Sequence, residues 1–212
     1  MEKAEARSIN GNRMRIGPRA ASRNLALVSL AVSLAVSLAM LSSTLPAARC
    51  ESSGSSEYDV KAAFLFHFAQ FVEWPAGTFK DATSPLTYCT VGDDPFRGAL
   101  DQGLSGKTIG TRPLRVQHFK LPHEMQSCQV LFVGAGENKL LADTIANVSG
   151  RPVLTVGETE HFAADGGIIG FVVEANKIRF EVNLEAAEKA NLKISARLLA
   201  LAKTVIGNPK GN

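Results

Sequence analysis

Residues 128 to 134 read CQVLFVG, and residues 137 to 150 read ENKLLADTIANVSG. The first is an unbroken apolar run with no polar alternation, the pattern of a strand covered on both faces. The second has helical spacing and stops at Gly150. A buried strand followed by a helix is the repeating step of an α/β sheet.

The same step recurs outward from this point. Upstream, Leu86 to Val91 forms a β-type run ending at Gly92, Phe96 to Leu104 a short helix, GKTIGTRP a turn-rich connection, and Leu114 to Phe119 another strand. Downstream, Val153 to Val156 begins a strand, and EHFAADGG supplies a helical turn and a glycine corner. Ile168 to Glu174 and Lys177 to Asn183 flank Ala175 and Asn176, a two-residue hairpin signal. Two helices, Leu184 to Ala190 and Ser195 to Ile206, are expected to close the chain. The whole predicts an α/β fold: one domain with a mixed sheet of about six strands, helices on both faces and no internal repeat.

The N-terminal part reads as an address, not as fold. Arg7, Arg13, Arg15, Arg19 and Arg23 precede an apolar stretch from Leu25 to Leu41, and small residues follow. These are the three parts of a secretory signal peptide spanning 1–50, with cleavage expected near 47–51. An uncleaved anchor is the alternative, but the apolar stretch is short for a bilayer of roughly 30 Å. Lipidation at Cys50 is disfavoured by Arg49 directly before it. Residues 51–57, ESSGSSE, read as a flexible linker, and the domain is expected over 58–207.

Removing the leader changes the charge argument. Residues 1–50 hold 7 of the 23 basic and 2 of the 20 acidic residues, leaving 16 basic against 18 acidic, a net charge of −2. No basic stripe for nucleic acid is present in that balance, so a nucleic-acid partner is not expected. With Cys50 at the leader's edge, the mature domain keeps Cys89 and Cys128. An even pair in an exported domain is read as a disulfide, two buried free thiols being the other reading.

The stretch YDVKAAFLFHFAQFVEW (58–74) predicts one strongly apolar helix, with Val60, Ala63, Phe64, Phe68, Phe71 and Val72 on its buried stripe and Pro75 as its stop. Its aromatic residues exceed what a single stripe uses. Phe66 or Trp74 is therefore a candidate for a protein interface, where large aromatics are enriched.

Chemistry is sparse. Asp93 and Asp94, in VGDDPF, stand at the carboxyl end of a strand, where α/β sheets bind ligands. Capping explains more of the motif: Asp94 as N-cap, Pro95 at the first helical position, and Gly92 for the turn. Gly92, Asp93 and Gly134 remain as candidates for the rim of a ligand crevice. VGAGENK has only two of the three fingerprint glycines, with Lys139 at the third position. His118 and His123 match no zinc spacing, so no metal is expected, and no nucleophile motif is present. The chain is therefore not expected to be an enzyme.

Taken in order, VKAAFLFHFAQFVEWP, CTVGDDPF, CQVLFVG, VLTVGETEHFAADGGIIGF, KIRFEVNLEAAEKANLKIS and RLLALAKTV resemble the YfiR-like (YfiR/HmsC-like) family of exported proteins. The resemblance runs from about Tyr58 to Val205. It implies a periplasmic regulator, without a cofactor, that binds and restrains the periplasmic sensor region of an inner-membrane diguanylate cyclase, lowering cyclic di-GMP and biofilm output. It also implies a homodimer, an outer-membrane lipoprotein as a further partner, and a Cys89–Cys128 bridge. Some members carry a second cysteine pair near the segment here reading FAADGGIIG, which has none. A small-ligand-binding protein feeding a membrane signalling pathway is the alternative.

Overall fold

The strand at the centre of the sequence reading, β5 (Val130–Val133), is buried at all four residues in the computed structural model, which describes residues 54–207. The expected leader, its cleavage site and Cys50 lie outside the described residues. Parallel neighbours flank β5 on both sides: β2 (Leu86–Val91) pairs Cys89 with Leu131, and β6 (Leu154–Gly157) pairs Val156 with Phe132. Burial of every side chain in these three strands is what two covered faces require.

Elements outward from this triplet complete the sheet. β4 (Arg112–Phe119) runs parallel to β2, and the two-residue β3 (Thr108–Ile109) caps one end of β4. On the other side β7 (Ile169–Glu174) joins β6, β8 (Lys177–Asn183) returns antiparallel to β7, and β10 (Thr204–Ile206) pairs in parallel with β8. The eight strands lie in the order β10-β8-β7-β6-β5-β2-β4-β3. The β7–β8 turn has Ala175 at φ 47° and Asn176 at φ 58°, the doubly left-handed pair that a two-residue hairpin needs.

Two apolar cores lie on opposite faces of the sheet. Alternate residues of β2 and β5 (Leu86, Tyr88, Val130, Phe132) pack on α1 (Gly54–Gln70), α2 (Ala99–Leu104) and α4 (Leu184–Lys189). The intervening residues (Cys89, Val91, Leu131, Val133) meet α3 (Asn138–Val148). The expected helices on both faces are therefore present. The bridge Cys89–Cys128 lies in the second core, its Cα atoms 5.9 Å apart.

Four expectations need correction. α1 begins at Gly54, inside the stretch read as a linker, with Glu57 paired to Lys61 one turn later. It also ends at Gln70, because Val72 and Glu73 form β1 (Val72–Glu73) against β9 (Lys193–Ile194). Its buried stripe is Lys61, Ala62, Leu65, Phe68 and Ala69, rotated from the expected one, while Val60 is exposed. The last helix, α5 (Ala196–Leu199), is short; the β-branched run Thr204-Val205-Ile206 leaves it to join the sheet, and Lys203 N–H donates to Phe180 O at 2.8 Å. These additions raise the strand count above six.

One loop feature fixes the segment between β6 and β7. The Phe162 ring is buried between Gly157 and Gly167, and a methyl group at either glycine would overlap it. Gly167 N–H donates to Phe162 O at 2.9 Å, and the Asn183 amide donates to Ala163 O at 2.7 Å.

Candidate functional site

The carboxyl ends of β2, β5 and β6 lie side by side in a parallel block, and the loops leaving them border a crevice of about 640 Å³. This is where ligands bind in open α/β sheets. Its walls come from the β2 loop (Asp93, Asp94), the β5 loop (Gly134, Glu137), Glu158 after β6, and Tyr58 of α1. Asp93 and Gly134 line this crevice, whereas Gly92, the residue before Asp93, is not one of its lining residues.

Gly92 has φ 83° and donates its N–H to Phe119 O at 2.9 Å. The Glu137 carboxylate occupies the space that a Cβ on Gly92 would need, and accepts the Asp93 N–H at 2.9 Å. A side chain here would meet both left-handed strain and that carboxylate. Asp93 itself is exposed and pairs with Lys120 at 2.9 Å. Asp94 caps a turn instead of a helix: its Oδ1 accepts the Phe96 N–H at 3.1 Å, while α2 starts only at Ala99, after Gly98 at φ 89°.

Two of the lining residues, Tyr58 and Glu158, belong to a charged network that sequence reading missed. Lys61, only 3 % exposed, pairs with Glu158, whose side chain is 5 % exposed, and with Glu57. Glu158 also accepts the Tyr58 hydroxyl at 3.0 Å and the Ala135 N–H at 3.1 Å. The Lys61 ammonium lies 4.6 Å from the Tyr58 ring centre. Two signals were present in the sequence: a lysine inside the apolar VKAAFLF, and a glutamate directly after a buried strand.

Burial, then the charge of Glu158 and the hydrogen bond to it, pushes the Tyr58 hydroxyl up to about 12. Burial alone raises Tyr88 still further. These are the chain's two tyrosines. Because the folded value for Tyr58 exceeds the ordinary value of about 10, its contribution to stability is complete below pH 10 and is lost as pH rises towards 12. An absorbance titration should therefore show no tyrosinate step near pH 10 in the native protein and a two-tyrosine step in denaturant. A full step near pH 10 in native protein would contradict the part-buried Tyr58–Glu158 contact.

One further arrangement has the order of a nucleophile, a base and an acid. Thr90 Oγ1 lies 2.7 Å from His118 Nδ1, and His118 Nε2 lies 3.1 Å from Asp101 Oδ2. Thr90 is 1 % exposed, so its hydroxyl is closed to substrate and the set ties β2, β4 and α2 together. No grouping of three or more His, Cys, Asp or Glu able to hold a metal occurs among the described residues. The Glu124 carboxylate beside His123 instead accepts the N–H groups of Lys120 and Leu121.

The two aromatic candidates are not brought together. Phe66 is half-buried in a second crevice between α1 and α2, under the Lys107 ammonium at 4.8 Å. Trp74 lines a third, 6.2 Å from Phe79, with its indole N–H buried and unpartnered. The Phe79 ring in turn stacks on Arg112 at 3.7 Å.

Fold and site define a disulfide-tied α/β domain whose crevice lies at a parallel sheet edge and whose buried charges are matched internally. The chain belongs to the YfiR/HmsC-like family, whose family model matches residues 58–203. Among solved structures, a conserved domain protein from Vibrio cholerae O1 biovar El Tor is 11 % identical, with 70 % of this chain and 60 % of that one covered and a TM-score of 0.45. The ABC domain in complex with L-Trp from Streptococcus pneumonia is also 11 % identical, over 57 % of this chain and 55 % of that one, with a TM-score of 0.41. The match thus spans less than two thirds of either solved chain, and both likenesses are too remote to assign function.

Proposed function

We propose that the protein is a non-enzymatic periplasmic regulator that binds the periplasmic region of an inner-membrane diguanylate cyclase and restrains it. Export through the N-terminal leader, assembly as a homodimer and an outer-membrane lipoprotein as a further partner belong to the same reading. The observation that supports it is the family match over 58–203, nearly all of the described domain. The site is compatible with it: Glu158, Lys61, Tyr58 and Glu137 each contact another protein group. Restraint requires preferential binding to the inactive cyclase; about 5.5 kcal/mol of differential affinity takes a 1:99 population to 99:1.

The test is co-purification from detergent-solubilised inner membranes with the tagged protein, alongside cyclic di-GMP levels with and without its gene. Recovery of a cyclase, with cyclic di-GMP rising on gene loss, is expected. Unchanged cyclic di-GMP and no cyclase recovered would sink the proposal. A second reading, a small-ligand-binding protein feeding a membrane signalling pathway, is favoured by the crevice itself, where Arg97 has no carboxylate partner among the described residues. A small molecule co-purifying without a cyclase would support it.

A further inference from the structure

β4 is an open edge of the sheet over most of its length. β3 pairs only with Arg112 and Pro113, and Leu114 N–H reaches Lys107 O at 3.2 Å. On its inner side β4 is in register with β2 from Leu86↔Leu114 to Val91↔Phe119. Along a strand in a parallel pair, successive residues direct their N–H and C=O to alternate sides. The Gly92 N–H on Phe119 O sets the phase. Arg115, Gln117 and Phe119 bond to β2, whereas Val116 and His118 direct both main-chain groups outward. No strand among the described residues pairs with them there.

The charge on β4 left without a carboxylate is basic. Lys120 and His118 have carboxylate partners in Asp93 and Asp101. Arg115, exposed on β4, has none among the described residues; Arg112 at the start of the strand has none either, its guanidinium held by the Asp81 and Ser84 carbonyls against Phe79. Basic side chains on an edge strand repel a second edge of the same kind. A second copy would bring the same cations to this edge, whereas an acidic strand would neutralise them.

We propose that β4 receives an extended acidic segment of another protein, added to the eight-stranded sheet through the main-chain groups of Val116 and His118. This rests on the reading of the protein as a regulator with a protein partner, and names the surface that holds it. Main-chain bonds would give the affinity, and Arg115, beside the added strand, the preference for carboxylates.

The test uses the purified, oxidised protein and two probes of about seven residues, a common strand length: a peptide alternating glutamate with valine, and its lysine–valine counterpart. Amide exchange followed by NMR should slow at Val116 and His118 with the glutamate peptide alone, and binding should weaken as salt is raised. Val116→Pro removes one outward donor while leaving the bonds of Arg115, Gln117 and Phe119 to β2, and should abolish protection at His118. Should that variant not fold, Arg115→Glu, an exposed substitution, should weaken binding about 10-fold. No protection at up to about 1 mM peptide, protection elsewhere only, or equal binding of both peptides would overturn the proposal. These measurements need no cyclase, so a negative result leaves the co-purification test standing, and a failed co-purification leaves this one.

Discussion

Cys89→Ser should lower the melting temperature by about 10 °C. The bridge joins residues 39 apart in sequence. Constraining a loop of that size in the unfolded chain is worth roughly 4 kcal/mol on the chain-entropy formula, an upper-side figure. In a domain of this length each kcal/mol moves the midpoint by about 2–4 °C. The serine also places a hydroxyl in an apolar core, so reduction of the wild-type protein with dithiothreitol is the cleaner comparison; it removes the cross-link alone. In the serine variant Cys128, 3 % exposed in the fold, should become reactive to thiol reagents as the structure opens. Protein isolated from the periplasm with two free thiols by mass measurement would contradict the bridge.

Lys61→Ala should cost about 3–5 kcal/mol in chemical denaturation, the range for leaving one member of a buried ion pair behind. The alanine would strand Glu158, which keeps only the Tyr58 hydroxyl and the Ala135 N–H. Glu57, the half-exposed second partner of the lysine, is itself a carboxylate and offers Glu158 no compensating charge. The double variant Lys61→Met with Glu158→Gln removes both charges and should recover much of the loss, since neutral replacement of a whole buried pair is often tolerated. A cost for Lys61→Ala below about 1 kcal/mol, the usual worth of an exposed pair, would show that the network is not held dry.

What the sequence made legible follows the strength of its patterns. β2, β5 and β6 could be placed because two covered faces demand unbroken apolar runs, and the β7–β8 turn because Ala175-Asn176 sits between two strand patterns. The end of the chain was misread because helical periodicity and β-branching compete from Ser195 to Ile206, and pairing with β8 decides in favour of the strand at Thr204. The stripe of α1 was misplaced for a different reason. Apolar spacing assigns a lysine to the outside, and only the position of Glu158, 97 residues away, draws Lys61 inward. Gly92, Asp93 and Gly134 could be nominated because strand ends and glycines mark loops at a sheet edge, and of these Asp93 and Gly134 line the crevice. Tyr58, Lys61 and Glu158 were not, since no local pattern links a helix start to the end of the fourth parallel strand.

The Phe162 ring between Gly157 and Gly167 bears on how the sequence can change over time. Neither glycine has room for a side chain while the phenyl ring is present, so mutation at one site alone is a dead end. A shorter residue at position 162 must arrive first, or together, before alanine is admissible at 157 or 167. The three positions should therefore drift as a linked set among descendants of this chain, giving a covariation signal between residues that are well separated along the sequence.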